Sequence, residues 1–385
     1  MTTLAQFSVN EQSGFLPVKD PLRQLPAPFE AWERVAADLP KLIVTDQLRN
    51  TINALPPFPA EKLQGDAEQE RAMMILSYIG HAYVWGAAPA AASIPAVLAV
   101  PWHRVASILG RPPVLSYASY ALHNWRRFDP SRPPELGNIG LLQNFLGGAD
   151  EEWFILIHVD IEHLAAPAVR NLLPAQDAVA KGDPAAARQA LFAIGESLER
   201  MYNSLARMPE YCDPYIYYNR VRPYIHGWKK NPVLPQGLLY EGVTEYQGAP
   251  QQFRGETGAQ SSIVPCMDAV LGVGHEEGPL MQHLKEMREY MPPAHRRFME
   301  HIEQGPSVRA LVIAHKDTDI ELKNTYNRCV TWVERFRSKH LEYAASYIES
   351  QKQSSEGNPT QVGTGGTPFM PYLKKHRNET SSHIL

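Results

Sequence analysis

Apolar residues recur at spacings of three and four along most of this chain, and hardly ever at spacing two. The stretch RFRSKHLEYAASYI, Arg335 to Ile348, shows the pattern: Val333, Phe336, Tyr343 or Ala344, and Tyr347 form one stripe. Such a stripe predicts a core-facing helix, here within a helical span from 318 to 352. The same period predicts helices at Trp32–Leu42, Ala67–Trp85, from Pro95 to about Ile108, and from Leu115 to about Trp125. Further along it predicts helices over 151–172, 184–207, 260–273, 277–290 and 293–303. Val, Ile and Thr seldom alternate with polar residues, so the expected class is all-α, without a sizeable sheet.

Breaks in the pattern divide the chain. Residues 1 to about 60 are punctuated by proline, and FDPSRPPELGNIGLLQNFLGGADEE is loop-rich, which places a domain boundary between Pro130 and Asp150. The expected organisation is a small helical domain over 1–145 and a large helical domain over 146–385. QGLLYEGVTEYQGAPQQFRGETGAQSS is glycine-rich and can bring backbone close to a ligand. The tail SSEGNPTQVGTGGTPFMPYLKKHRNE reads as a flexible loop followed by a short helix. No internal repeat is evident.

Composition narrows the function. With 385 residues, 44% of them hydrophobic, the chain can bury a large core and a cofactor within it. Its 37 basic and 41 acidic residues give a net charge of −4 without a polybasic run, so no nucleic-acid partner is expected. Cys212, Cys266 and Cys329 form no CxxC pair, which disfavours a zinc ribbon or disulfide framework and fits a reducing compartment. MTTLAQFSVNEQSGF lacks the basic and apolar parts of a secretory signal, and AAPAAASIPAVLAVPW is broken by Pro89, Pro95 and Pro101. A cytoplasmic protein with no membrane span is therefore expected.

His340 stands out because it sits inside the apolar stripe, four residues after Phe336. Its plain reading is a core histidine bonded to a carbonyl; the other is an axial ligand, since an imidazole on an apolar wall can hold haem iron away from water. His158 falls beside the apolar face of WFILIHVDIEHLAAPAVRNL, next to Phe154 and Ile161, with Glu162 four residues on. Histidine and carboxylate at that spacing could meet one non-haem metal ion, given two or three more ligands. HEEG at 275–278 reads as a solvated loop. Arg222, among tyrosines in YYNRVRPYIHGWKKNP, is either a surface arginine or a clamp for a carboxylate. GTGGT at 363–367 lacks the lysine of a P-loop and reads better as a hinged lid over about 353–368. MREYMPPAHRRF is a helix stop followed by a helix start.

Taken in order, SYA, the helix from Trp153, GWKKNP, LLYEG, GAQSS, DAVLGV, MREYMPPAHRRF, RSKHL and GTGGT strongly resemble the indoleamine 2,3-dioxygenase family. The likeness runs from about Pro113 to the end and is looser before it. It implies a two-domain helical enzyme with haem b that cleaves the indole C2–C3 bond of tryptophan with O2, giving N-formylkynurenine, and that acts as a monomer. It implies His340 as the proximal iron ligand, Arg337 near a haem propionate, and Asp268 as the partner of Arg337. For the substrate it implies Phe154 and Tyr217 against the indole, Arg222 on the carboxylate, Gly258 close to the ring, and Thr364 in the lid. Thr257, where the family often has serine, and Tyr117 complete that set. Two departures stand out: His158, where mammalian members have serine, and Tyr120, where they have a smaller cysteine. A distal imidazole could accept the indole N–H or donate to oxygen, and both changes bear on substrate range. A divergent indole-oxidising relative, or a haem protein without turnover, are the other readings.

Overall fold

The computed structural model of the chain describes residues 3–351, 358, 360 and 362–385. Helices run in the order α1 (Glu30–Leu42), α2 (Leu48–Asn53), α3 (Gly65–Trp85), α4 (Ala96–Leu109), α5 (Ala149–Lys181), α6 (Pro184–Ala206) and α7 (Pro214–Ile216). They continue as α8 (Arg222–Ile225), α9 (Ile263–Leu271), α10 (Pro279–Met287), α11 (Pro293–Gln304), α12 (Arg309–His315), α13 (Ile320–Ala344) and α14 (Phe369–Ser381). Among the described residues, strand pairing is confined to Ser93–Ile94 beside Leu239–Tyr240, parallel, and Arg126–Arg127 beside Ile139–Gly140, antiparallel. The fold is all-α, as the period of the sequence predicts.

Three predicted helices differ, one of them α13, which ends at Ala344 and gives way to a π turn, Ala345–Glu349, short of 352. α5 runs to Lys181, through Pro167 and Pro174, rather than ending at 172. A proline inside a helix removes one hydrogen bond and bends the axis, but α5 lies along α6 for much of its length, and that packing outweighs the local loss. The pair turns at Gly182, in the left-handed conformation at φ +62°, and Asp183 caps α6 by accepting from Ala185 N and Ala186 N at 3.0 Å. The expected helix from Leu115 to Trp125 is reduced to one wide π turn, Ala118–Leu122. The Trp125 indole N–H there bonds the Leu122 carbonyl instead of facing solvent.

Apolar side chains gather in two main clusters. One surrounds α3, with Trp32, Tyr78, Trp102, Trp228 and Tyr240 buried. It takes in the sequence-distant residues 225–243, because Trp85 Nε1 donates to the His226 carbonyl at 2.9 Å and His81 Nδ1 meets the Tyr224 carbonyl at 2.7 Å. The other lies among α5, α6, α9, α11 and α13, and also buries Leu4, Val9 and Phe15 from the chain start. Among the described residues, no helix is long and apolar enough to cross a membrane.

Candidate active site

α13 and the π turn after it, Ala345–Glu349, carry the stripe the sequence predicts: Val333, Ala344 and Tyr347 are buried and Phe336 is half-buried. His340 projects from α13 into a cavity of about 530 Å³, within the ordinary size of a cofactor or ligand site. Neither ring nitrogen has a hydrogen-bond partner in the described protein, so the plain reading, a satisfied core histidine, does not hold. The ring is accessible through the cavity it lines, yet the surrounding protein is thick enough that burial, with a smaller push from His158, lowers its pKa to about 4. The imidazole is neutral near pH 7, the form that binds a metal.

α5 supplies the next part of the wall. Glu151, buried at the helix start, accepts from Phe145 N, Leu146 N and Gly147 N at 2.6, 2.9 and 3.0 Å, which pins the incoming loop and fixes how Phe154 and His158 project. The rings of Phe154 and Tyr217 lie 4.6 Å apart, and those of Phe154 and His158 4.8 Å apart. His158 Nδ1 is 2.7 Å from the Phe154 carbonyl oxygen. A carbonyl only accepts, so the neutral ring carries its proton on Nδ1 and keeps Nε2 as an acceptor. Burial lowers the pKa of His158, partly countered by that bond, so the neutral ring persists.

Glu162, one turn beyond His158, does not join it in a ligand set. Its Oε1 accepts from Tyr117 Oη at 2.9 Å and Ser261 Oγ at 2.8 Å, and burial raises its pKa to about 7. No third His, Cys, Asp or Glu completes a metal-holding group with this pair among the described residues. Such a group does occur at His275, His376 and Glu379, but both nitrogens of His275 are already taken. Its Nδ1 lies 2.6 Å from Glu379 and its Nε2 3.1 Å from Asp268. Burial would lower the pKa of His275, and these two carboxylates overcome it and raise it. HEEG is a loop, as expected, but His275 is not solvated: its side chain is 7% exposed.

Asp268 also binds Arg337, with Nη2 to Oδ2 at 2.6 Å and Nη1 to Oδ1 at 3.1 Å. Arg337 donates further to Thr380 of α14, so the network ties α9, α13 and α14 together beside the cavity.

The structure places Tyr117, Phe154, His158, Tyr217, Thr257, Gly258, Asp268, Arg337, His340 and Thr364 on one cavity wall system. A Cβ built on Gly258 would meet nothing within 4 Å, so open space faces this backbone. Two expected residues are not on the wall. Tyr120 is 1% exposed and packs behind it, 6.2 Å from Tyr78 and 6.3 Å from Phe154. Arg222, fully buried, lies over Tyr218 at 5.4 Å and donates to Asn358 Oδ1 and the Val362 carbonyl. It is neither a surface arginine nor, in this arrangement, open to the cavity.

Of the expected lid, 353–357, 359 and 361 lie outside the described residues. Asn358 is buried, donating to the Tyr218 carbonyl at 2.7 Å. The 363–367 turn is closed by Gly366 N to Gly363 O and Gly363 N to Thr367 O, both 2.8 Å. Thr364 Oγ1 donates to the Glu256 carbonyl, which sets the turn over residues 254–257. Sequence reasoning passed over Glu256, His283 and His376 and read His275 as solvated, yet all four are on the wall. The signal for Glu256 was present: it immediately precedes Thr257 and Gly258, within a glycine-rich run already marked for close approach.

The residues fit haem: an unpartnered neutral imidazole stands in a largely apolar cavity that also presents a guanidinium, Arg337. The family profile for indoleamine 2,3-dioxygenase matches residues 3–383. The chain belongs to the indoleamine 2,3-dioxygenase family. It is 38% identical to indoleamine 2,3-dioxygenase 1 of Rattus norvegicus, over 99% of this chain and 96% of that protein. It is 34% identical to indoleamine 2,3-dioxygenase 2 of Homo sapiens over 100% and 96%, and 33% identical to a 6-hydroxytryptophan 2,3-dioxygenase of Fusarium equiseti over 98% and 97%. Like these relatives, the protein is an oxidoreductase of the dioxygenase type.

Proposed function

We propose that this enzyme opens the pyrrole ring of L-tryptophan, or a closely related indole amine, inserting both atoms of O2 across C2–C3 to give N-formylkynurenine. The observation that carries it is His340, an imidazole without a hydrogen bond on an apolar helix face beside a cavity large enough for a cofactor. Haem b, when bound through His340, supplies the iron centre at which O2 is used. Arg337 would pair with a haem propionate, and Asp268 holds that guanidinium in place.

The remaining residues position the substrate. Phe154 and Tyr217 hold the indole, Gly258 admits its edge, and His158 Nε2 accepts the indole N–H because its other nitrogen is tied to the Phe154 carbonyl. Tyr117 and Thr257 complete the wall, Tyr120 sets its depth from behind, and Thr364 closes it from the lid. Arg222 takes the carboxylate by exchanging Asn358 or Val362 for it, a bidentate partner for a neutral one. The division into a small domain over 1–145 and a large one over 146–385 belongs to the same reading, as do a monomeric state and a cytoplasmic site, where the three free, buried thiols would stay reduced.

The test is mass spectrometry of the product after the reduced, haem-loaded protein meets L-tryptophan under ¹⁸O2. N-formylkynurenine carrying both labelled atoms is expected. Incorporation of one label or none would overturn the reading.

A further inference from the structure

Three carboxyl groups stand on the cavity wall among the described residues: Glu256, Asp268 and Glu303. Asp268 is paired with Arg337, and Glu303 with Arg288 at 2.5 Å. Glu256 is different. Its residue is 4% exposed, and its carboxyl has neither a hydrogen bond nor an ion pair in the described protein; only its backbone groups are engaged. Burial, with no opposing partner, raises its pKa to about 8.

The backbone holds Glu256 firmly. Its N–H donates to the Ile225 carbonyl at 3.1 Å, and both Trp228 N and Lys229 N donate to the Phe253 carbonyl at 2.9 Å. Two glycines allow this contact: a Cβ on Gly255 would lie 2.2 Å from Gly227 N, and one on Gly227 2.1 Å from Gly255 N. This segment is in turn anchored to α3, through His81 at the Tyr224 carbonyl and Trp85 at the His226 carbonyl. The lid residue Thr364 bonds the Glu256 carbonyl from the other side. A carboxyl left without a partner on so rigid a mount costs stability, and it is satisfied only by what enters the cavity.

We infer that Glu256 is the receptor for the substrate's α-ammonium group, selecting indoles that carry an amine on the side chain. This rests on the site's being an indole-binding cavity, as proposed above. An ammonium group arriving beside the carboxyl ionises it and makes a charge-assisted hydrogen bond in a site sheltered from water. The placement suits that role, since Thr257 and Gly258 follow directly in sequence, Tyr117 and Tyr217 line the same wall, and Thr364 bonds the Glu256 backbone carbonyl.

The experiment compares haem-loaded wild type with Glu256→Gln, which keeps shape and removes charge. Equilibrium titration of the Soret band reads the affinity for L-tryptophan, for tryptamine, which keeps the amine alone, and for indole-3-propionate, which keeps the carboxylate alone. Glu256→Gln should weaken L-tryptophan and tryptamine by about 10- to 100-fold and leave indole-3-propionate within about twofold. Equal weakening of all three, which a merely structural role would give, overturns the inference, and so does unchanged tryptamine binding. If Glu256→Gln does not take up haem, Glu256→Asp carries the same comparison, and an unchanged ratio of tryptamine to indole-3-propionate affinity overturns it there. Wild-type protein that binds haem but none of the three indoles refutes the indole-cavity reading itself, a result distinct from these.

Discussion

Replacing Asp268 by Asn tests the network beside the cavity. The Asp268 and Arg337 side chains are 12% and 9% exposed, and that of His275 7%, so water screens these charges little. Asn keeps one acceptor oxygen but turns an amide N–H2 toward donors on Arg337 or His275, and both cations lose their shared anion. Breaking a buried pair by removing one partner costs about 3–5 kcal/mol. Glu379 still holds His275 and Thr380 still accepts from Arg337, which sets the expected loss at the low end, about 3 kcal/mol. With a urea slope of about 3 kcal/mol/M, the unfolding midpoint of the haem-free protein should fall by about 1 M. Working without haem separates this from any change in cofactor affinity.

The loss should also depend on pH. Burial works to raise the Asp268 carboxyl, but Arg337 and His275 overcome it and hold the pKa below the ordinary value, so its contribution is present above the usual carboxylate range and lost as pH falls through the depressed pKa. His275 is raised, so its contribution is present below the usual histidine range and lost as pH rises through the raised pKa. The difference between wild type and variant is therefore largest between about pH 4 and 6.5 and shrinks on both sides. A midpoint shift under about 0.3 M, or one that does not vary with pH, would refute this account.

Other outcomes follow from the same geometry. His340→Ala should purify without haem, read by the missing Soret band and by pyridine haemochrome content; native spectrum and full occupancy would sink the ligand assignment. Glu162→Gln should stabilise the protein at pH 8 by about 2–3 kcal/mol and have little effect at about pH 4. The carboxyl's pKa is raised to about 7, so the folded state loses stability as pH climbs from the ordinary carboxylate range to that value, and urea unfolding at both pH values checks the sign. Gly255→Ala should cost about 1–3 kcal/mol or more, because the new methyl must part residues 225–229 from 253–256, and should weaken tryptophan binding by moving Glu256. Tryptophan affinity equal to wild type would show that this backbone contact does not set the site.

The helices were legible in the sequence because burial of one face at a 3.6-residue period is a local property. α1, α3, α4 and α6 lie within a few residues of where the period puts them, and α13 starts where expected but gives way to a π turn after Ala344. α5 was cut short at its prolines, and the Leu115–Trp125 helix was overdrawn, since only packing decides whether a locally unfavourable turn is kept. His340 was legible for a related reason: an ionisable ring inside an apolar stripe conflicts with its surroundings, and such conflict marks function.

Residue order alone therefore carried the helical class, the ordered set of motifs that resembles one dioxygenase family, and the candidate iron ligand on α13. Which polar groups already have partners was settled only by how the helices pack. Tyr117 and Ser261 occupy Glu162, and Asn358 and Val362 hold Arg222 away from the cavity. Among the described residues, Glu256 alone of the wall carboxyls is left unpaired. Pairing of this kind joins residues far apart in the chain, such as Arg222 and Asn358. No periodicity reports it, because it depends on where folding brings each donor and acceptor rather than on what each residue is.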